Sequence, residues 1–211
     1  MRYELKYNID LLGAVEIKST ILLHPASFSK AFPDRIVNNI YFDSADFLFF
    51  HENVNGAPDR KKMRLRWYGE DSLLASKSML EIKNKRNQLG WKDSFSFDTQ
   101  GINSLDNLSQ KINHLNNFEI ALLPALQNRY KRSYYVSHDG LFRITVDYNQ
   151  EFAIPTIDNV YLPTNKRFNN LVELKFEEED WKHSSDITNY IPYRQTKNSK
   201  YVNGISAIFH L

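Results

Sequence analysis

Cysteine is absent from this sequence of 211 residues, and glycine and proline occur only seven times each. Without cysteine the chain can form neither a disulfide framework nor a thiolate metal site, and it has no cysteine nucleophile. The shortage of glycine and proline leaves little room for low-complexity or collagen-like segments. We therefore expect an ordered globular chain, and the missing cysteines fit a reducing compartment such as the cytoplasm.

Long apolar runs and an excess of one charge are also missing. No window approaches the roughly 20 apolar residues of a membrane span, and the N-terminal "MRYELKYNID" has no apolar core of signal-peptide length. The 27 Lys and Arg residues nearly balance the 25 Asp and Glu residues, which leaves a net charge of +2. We expect a soluble chain that does not insert into a membrane, in which any electrostatic function depends on where the charges lie.

Several common functional motifs are absent as well. The six histidines show no metal-ligand spacing, and the sequence contains neither a Walker A run nor a GxSxG elbow. Aromatic residues alternate with basic ones in "RYKRSYY", but the near-neutral chain lacks the broad basic footprint of a nucleic-acid-binding protein. We do not expect nucleic acid as a partner.

Alternation of apolar and polar residues dominates the sequence and indicates half-buried strands. It predicts strands at 1–9, 35–43, 60–69, 78–86, 91–98, 128–137, 141–148 and 170–178, with a weaker candidate at 151–155. Helical patterns lie between them at 10–22, 45–54, 103–116, 181–190 and 199–208. The first of these has Asp10 as its predicted N-cap and an apolar stripe at Leu11, Leu12, Val15 and Leu22. Many strands with short inserted helices predict an α+β fold or an all-β barrel, mostly antiparallel.

A Glu–apolar–Lys triplet occurs three times in these strands, in "YELKY" at 3–7, "LEIKN" at 80–84 and "VELKF" at 172–176. Because strand side chains alternate, each Glu and Lys share one face and the apolar residue takes the other. The same alternation places Arg64 with Arg66, and Arg143 with Asp147. For any single strand, the simplest explanation is that one face is exposed to water.

The pattern across several strands favours a different arrangement. Arginine is frequent on the charged faces, and its guanidinium suits bidentate contacts with phosphate or carboxylate. If these faces point inward and helices cover the apolar faces, about eight strands close into a barrel with a basic lumen. Such an excess of cations requires an anion, and a run of phosphates with a divalent cation would satisfy both charges. The candidates are Lys6, Arg64, Arg66, Lys83, Lys92, Arg132, Arg143, Lys175, Lys197 and Lys200, with Glu4, Glu81, Asp147 and Glu173 as the carboxylates.

These segments resemble the CYTH or triphosphate tunnel superfamily, and more closely its VTC-type polyphosphate polymerase domain. "RYELKY", "NNIYFDSAD", "RLRWYG", "LEIKNK", "NRYKRSYY", "FRITVD", "LVELKF" and "KNSKYVNG" occur in the family's order over nearly the whole chain. The most specific of them is "SKY" after an "ELK" strand. The resemblance implies a single domain over 1–211, built as an antiparallel barrel whose basic tunnel binds triphosphate or polyphosphate.

The resemblance also implies roles for individual residues. Glu173 would be the principal ligand of Mn²⁺ or Mg²⁺, with Glu4 assisting. Phosphate contacts with a catalytic role are implied for Lys6, Arg64, Arg66, Lys83, Arg132, Arg143 and Lys200. Substrate binding is implied for Lys92, Tyr130, Lys175, Lys197 and Ser199.

Two positions depart from the family pattern. Hydrolytic members usually begin with two carboxylates and a lysine at alternate positions of the first strand, whereas Arg2 stands at the first of those positions here. One metal ligand is therefore missing, which makes activation of water by a second metal harder. Ser94 stands where the family often has a basic residue, two positions after Lys92. We expect this second departure to weaken one end of the phosphate track.

The leading hypothesis is a metal-dependent polymerase that transfers the γ-phosphoryl group of ATP to a growing polyphosphate chain. This reaction needs positioning and charge neutralisation more than covalent help from the protein. Two alternatives remain open at this stage. One is a tripolyphosphatase or nucleoside triphosphatase of the same fold, and the other is a noncatalytic polyphosphate-binding module. The expected ligands are ATP and polyphosphate or triphosphate, and the sequence leaves open whether a separate membrane partner receives the product.

Overall fold

The strands of the computed structural model follow the alternation in the sequence. The structure describes residues 2–70, 73, 77–86, 89–115, 119–157 and 169–211. The strands are β1 (Arg2–Ile9), β2 (Ser29–Asp43), β3 (Asp59–Tyr68), β4 (Ser78–Arg86), β5 (Leu89–Phe97), β6 (Leu123–Val136), β7 (Arg143–Ala153) and β8 (Asn170–Glu177). The weaker strand predicted at 151–155 is the end of β7 rather than a separate element, and β2 begins six residues before its predicted start.

Helices lie between β1 and β2, between β2 and β3 and between β5 and β6, and further helices follow β8. They are α1 (Ala14–Leu22), α2 (Leu48–Val54), α3 (Leu105–Leu115), α4 (Ser184–Thr188) and α5 (Lys200–Phe209), with a 3-10 helix at Glu178–His183. The helix predicted at 181–190 is thus the 3-10 helix followed by the short α4. None of the described helices combines the length and the apolar character that a membrane crossing needs.

The eight strands form one sheet in the order β1-β8-β7-β6-β2-β3-β4-β5. The pairs β1–β8, β7–β8, β2–β3, β3–β4 and β4–β5 are antiparallel. The predicted α+β class with a mostly antiparallel sheet is therefore confirmed. Within the described residues no pairing joins β1 to β5, the first and last strands in this order, so closure into a barrel is not established. Alternation specifies the faces of a strand but not which strands meet at the ends of a sheet.

Contacts between Cα atoms divide the chain into two compact units. The described residues of the first unit lie within 1–35, 130–150 and 167–198. Those of the second unit lie within 36–129, 151–166 and 199–211. A single domain over the whole chain, which the sequence suggested, stays a prediction.

In the first unit, helices cover the apolar face of the strands. The core combines apolar residues of β1, β7 and β8 with Ile17 and Ile21 of α1 and Ile187 of α4. This confirms the expected helix cover for this unit, but the face predicted for α1 is wrong. Leu11 is 91% exposed and Val15 is 74% exposed, because α1 begins at Ala14 and buries the positions four apart, 17 and 21.

In the second unit, the strands likewise separate an apolar face from a charged one. Met63, Leu65 and Trp67 of β3 are buried. Helix α5 contacts the other strand face, since the ring of Tyr201 lies 5.2 Å from that of Tyr41, which is paired with Arg64. Helix α5 therefore packs on the charged face of these strands rather than on the apolar one.

Gly204 permits the close approach of α5 to the strands of the second unit. A Cβ at this position would lie 2.4 Å from the side chain of Phe152 and 2.5 Å from that of Leu126. Such contacts are too short for a carbon atom, so a larger residue would displace the helix. The start of α5, with Ser199 and Lys200, is therefore held in place by packing as well as by hydrogen bonds.

Candidate functional site

The strand registers align the predicted site residues of the first unit in two rows. Lys6, Glu173 and Thr145 are directly opposite one another on β1, β8 and β7. In the neighbouring row, the same three strands align Glu4, Lys175 and Arg143. Residues opposite each other in an antiparallel sheet have adjacent Cβ atoms, so side chains in such rows can interact.

Glu173 is the centre of the first group of charged residues. We call this group the Glu173 cluster, and its other members are Glu4, Lys6, Arg132, Thr145, Asp147 and Lys175. Its carboxylate lies 2.7 Å from Nζ of Lys175, 3.5 Å from a terminal nitrogen of Arg132 and 3.7 Å from Nζ of Lys6. The hydroxyl of Thr145 lies 3.4 Å from the same carboxylate. Glu173 is only 5% exposed, so these partners replace water around its charge.

Arg132 and Asp147 form a buried ion pair within this cluster. Nε of Arg132 donates to one carboxylate oxygen of Asp147 at 2.5 Å, and a terminal nitrogen donates to the other at 2.6 Å. Burial alone would lower the pKa of Arg132, but the charge of Asp147 raises it well above its ordinary value. The guanidinium carbon of Arg132 also lies 5.2 Å from the ring of Tyr130, which is itself buried. Arg132 is therefore fixed in orientation and charge.

Lys6 links the two carboxylates that were predicted to bind a metal. Its Nζ lies 3.5 Å from Oε1 of Glu4 and 3.7 Å from Oε1 of Glu173, and it donates to the backbone oxygen of Asn198 at 2.9 Å. Magnesium is often held by one or two protein carboxylates, with water and substrate phosphates as the other ligands. The pair Glu4 and Glu173 fits such a shared site. Among the described residues, no group of three or more His, Cys, Asp or Glu side chains is placed to hold a metal ion.

The second unit contains a different charged cluster around Glu81, which we call the Glu81 cluster and which also contains Arg64, Arg66 and Lys92. Nε of Arg64 donates to the Glu81 carboxylate at 2.7 Å, and Nζ of Lys92 donates to its other oxygen at 2.7 Å. A terminal nitrogen of Arg66 lies 3.6 Å away. Burial alone would raise the pKa of Glu81, but Arg64, Arg66 and Lys92 together hold it well below its usual range. Glu81 is thus an anion surrounded by three cations.

A row of lysines lies beside the Glu81 cluster. Lys62, Lys83 and Lys92 are directly opposite one another on β3, β4 and β5. Like charges in such a row are destabilising unless an anion or a polar group intervenes. Nζ of Lys62 donates to the hydroxyl of Ser199 at 3.0 Å. That hydroxyl also caps α5 by accepting from the backbone N–H of Val202 at 3.3 Å.

The remaining predicted site residues differ in how deeply they are buried. Arg143 is opposite Lys175 in the register but exposed, and Lys200 is buried at the first position of α5. Lys197 is exposed in the segment before α5, and it contributes to neither of the two clusters. Ser94, the departure from the family pattern, is opposite Glu81 on β5, the last strand in the sheet order.

Sequence reasoning missed the polar partners of the arginines. Asp147 and Glu81 were noted as carboxylates without a defined role, yet each is the main counter-charge of an arginine. Nε of Arg66 donates to Asn39 at 2.8 Å, and Asn39 donates to Asn128 at 2.7 Å. Asn39 alternates with Tyr41 and Asp43 in "NNIYFDSAD", and this pattern could have indicated a shared polar face. Alternation does not reveal that Asn39 contacts Arg66, which is 27 positions away.

The sequence matches the family model for the VTC domain over residues 1–209, so the chain belongs to the VTC domain family. This confirms the resemblance found in its motifs. The comparison with curated proteins returned no match.

Solved structures share the fold at low sequence identity. A protein from Bacillus halodurans, described as a candidate adenylate cyclase, is 13% identical, with a TM-score of 0.58 and coverage of 96% of both chains. Another candidate adenylate cyclase, from Vibrio parahaemolyticus, is 13% identical, with a TM-score of 0.55 and coverage of 95% of both chains. A protein from Pyrococcus horikoshii OT3 has a TM-score of 0.53 at 13% identity, over 96% of this chain and 94% of that one. Together with the VTC family match, these likenesses support the triphosphate tunnel fold.

Proposed function

We propose that this protein is a metal-dependent polyphosphate polymerase, which transfers the γ-phosphoryl group of ATP to a growing polyphosphate chain. The observation that carries the proposal is the Glu81 cluster in a chain of the VTC family. Among the described residues, Arg64, Arg66 and Lys92 surround the buried carboxylate of Glu81, and Lys62 and Lys83 lie in the same register row as Lys92. Such an excess of positive charge favours a polyanion over a neutral or cationic ligand.

The residues of the Glu81 cluster would bind the phosphates. The guanidinium groups of Arg64 and Arg66 can contact two phosphate oxygens each, and Lys83 and Lys92 can contribute point charges. A phosphoryl transfer passes through a transition state whose charge is spread over the non-bridging oxygens. Cations held on rigid strands stabilise that charge without having to reorganise.

The residues of the Glu173 cluster would hold the divalent cation. Glu173 and Glu4 would be its ligands from the protein, because Mg²⁺ and Mn²⁺ prefer carboxylate oxygens. When bound, Mn²⁺ or Mg²⁺ would neutralise charge on the phosphates. Lys6 and Lys175, which contact Glu173, would balance negative charge near the ion, while Arg132 would stay fixed by Asp147.

Arg2 supports a polymerase over a hydrolase. Its Nε lies 2.5 Å from Glu177, its partner in the register of β1 and β8, and both side chains are exposed. The first position of the strand therefore has a cation with its own counter-charge, where hydrolytic relatives would carry a carboxylate. With a terminal phosphate as acceptor, no side-chain nucleophile or second metal-activated water is required.

Incubation of the purified chain with ATP and either Mn²⁺ or Mg²⁺ tests the proposal. We expect long-chain polyphosphate as the product, resolved by gel electrophoresis, together with ADP. Release of inorganic phosphate without polymer would identify a tripolyphosphatase or nucleoside triphosphatase instead. Binding of polyphosphate without turnover under either metal would identify a binding module.

A further inference from the structure

Three polar residues of β2, Asn39, Tyr41 and Asp43, alternate along the strand and therefore share one face. They belong to "NNIYFDSAD", a segment to which the proposed reaction assigns no role. Asn39 and Asp43 are fully buried and Tyr41 is nearly so. Each of the three makes a side-chain hydrogen bond to a different group of the second unit.

Asn39 holds the guanidinium group of Arg66. Its Oδ1 accepts from Nε of Arg66 at 2.8 Å, and its Nδ2 donates to Oδ1 of Asn128 at 2.7 Å. Arginine is only a donor, so the first bond fixes which end of the Asn39 amide is the oxygen. The second bond then fixes the amide of Asn128 as well. Asn128 thereby holds the Asn39 oxygen that accepts from Nε of Arg66.

Tyr41 holds Arg64 from the side opposite the Glu81 carboxylate. Its hydroxyl accepts from a terminal nitrogen of Arg64 at 3.2 Å, and its ring centroid lies 5.9 Å from the guanidinium carbon. Nε and the second terminal nitrogen of Arg64 both lie 2.7 Å from Glu81. The guanidinium is therefore restrained at all three of its nitrogens.

Asp43 holds the first turn of α5. One of its oxygens accepts from the backbone N–H of Phe49 at 2.8 Å, and the other accepts from that of Phe50 at 2.9 Å and from the hydroxyl of Tyr201. Burial and the charge of Asp43 raise the pKa of Tyr201, so its hydroxyl remains a donor. Because Tyr201 follows Lys200, this bond fixes the rotation of the helix turn that presents Lys200.

We propose that Asn39, Tyr41 and Asp43 are a row of positioning residues, which set the geometry of Arg66, Arg64 and the start of α5 for binding a phosphate chain. The inference rests on the proposed function, because Arg64, Arg66 and Lys200 are among its predicted phosphate contacts. Groups that are already oriented lose less conformational freedom when they bind a ligand. A residue that acts only by orienting Arg66 has no effect on binding once Arg66 has been removed.

A double-mutant cycle on Asn39 and Arg66 tests the inference. The affinity for tripolyphosphate is measured by isothermal titration calorimetry for the wild type, Asn39→Leu, Arg66→Ala and the double variant. We expect Asn39→Leu to weaken binding about tenfold, the loss of one buried hydrogen bond to a charged group. We expect the double variant to bind no more weakly than Arg66→Ala alone. Additive losses, or an unchanged affinity in Asn39→Leu, would overturn the inference.

A second cycle uses a smaller change and protects the test against misfolding. Tyr201→Phe removes only the hydroxyl that bonds to Asp43. When Lys200 is unchanged, we expect this variant to bind tripolyphosphate about threefold to tenfold more weakly than the wild type. The effect should vanish in the background of Lys200→Ala. If it persists there unchanged, Tyr201 does not act through Lys200 and the inference fails for α5.

Tyr148→Phe is the matched control, because it removes a hydroxyl with two charged partners. That hydroxyl lies 2.9 Å from Asp34 and 3.1 Å from Nζ of Lys18, in the first unit, and none of these three residues is a predicted phosphate contact. We expect the control to keep the affinity of the wild type. A loss equal to that of Tyr201→Phe would show a general effect of stability and contradict positioning. If the wild type itself binds no tripolyphosphate, the proposed function fails too. If the wild type binds it but the losses of affinity in the cycles are additive, only the positioning role of Asn39, Tyr41 and Asp43 is refuted.

Discussion

The Glu173 cluster and the Glu81 cluster use the same residue types in different proportions. Around Glu173, the carboxylates of Asp147 and Glu4 accompany Lys6, Lys175 and Arg132, so negative and positive groups are matched. Around Glu81, one carboxylate faces Arg64, Arg66 and Lys92. The two clusters lie in different compact units.

The two kinds of charge balance suit the two tasks of the proposed phosphoryl transfer, which are holding a metal ion and binding phosphates. A cluster with several carboxylates offers ligands for a divalent cation, whereas a cluster with excess positive charge needs an anion. We infer that the Glu173 cluster serves the metal and the Glu81 cluster serves the phosphate chain. Substitutions at Glu173, Asp147 and Glu81 test the two clusters, and a substitution at Arg2 compares an exposed ion pair with the buried one.

Glu173→Gln should have the largest effect. The amide keeps the size of the side chain but is a poor metal ligand, so we expect turnover of ATP to fall at least ~10³-fold, since even outer-shell partners of a metal contribute ~10–100-fold. Steady-state assays with ATP over a series of Mn²⁺ concentrations measure the change. Turnover that stays within tenfold of the wild type at saturating metal would remove Glu173 from the metal site.

Asp147→Asn should cost stability rather than metal affinity. The change leaves the buried charge of Arg132 with only the more distant Glu173, and breaking a buried pair in this way costs ~3 kcal/mol of unfolding free energy. Urea unfolding at neutral pH gives the value. A loss below ~1 kcal/mol would mean that Arg132 finds another partner and is not fixed by Asp147.

The stability that Glu81 contributes should depend on pH. Its pKa in the folded chain is held well below that of an unfolded glutamate, about 4.3, so the unfolded state binds the proton first as the pH falls. The contribution is therefore complete above the unfolded pKa and decreases below it. Urea unfolding of the wild type and Glu81→Gln at pH 7 and pH 3 should show a smaller difference at the lower pH. A difference that is equal at both values would contradict the assigned charge state.

Arg2→Ala should have the smallest effect. Its pair with Glu177 has the same chemistry as Arg132 with Asp147, but the side chains are 63% and 40% exposed. Exposed pairs contribute little to stability, so we expect the urea midpoint of Arg2→Ala to stay close to that of the wild type. The same urea titration that is used for Asp147→Asn provides the comparison. An equal loss in both variants would show that burial does not separate the two pairs.

Alternation in the sequence predicted the strands and their faces well. Strand β4 has the predicted bounds, and Arg64 and Arg66 share a face opposite Met63, Leu65 and Trp67 as expected. Period-two alternation is a local property, so it can be found in a single sequence. The candidate site residues on these strands were found for the same reason.

The partners across strands could not be predicted from alternation. Arg132 and Asp147 are 15 positions apart, and Asn39 and Arg66 are 27 apart, so their contacts depend on the register of neighbouring strands. A shift of one residue in register would send the same side chains to the opposite face. The face of α1 was wrong for a related reason, because the segment with Leu11 and Leu12 precedes the helix and lies outside its period.

Titration of tripolyphosphate into Glu81→Gln and Glu173→Gln, without metal, tests the division between the two clusters most directly. Glu81 competes with phosphate for Arg64, Arg66 and Lys92, so its neutralisation should increase the affinity about threefold to tenfold at low ionic strength. Glu173→Gln should increase the affinity less than Glu81→Gln does, because Glu4 still accompanies Lys6 and Asp147 still pairs with Arg132, so fewer cations are released. If Glu81→Gln binds tripolyphosphate no better than the wild type, or if Glu173→Gln gives the larger gain, the assignment of phosphate to the Glu81 cluster is wrong.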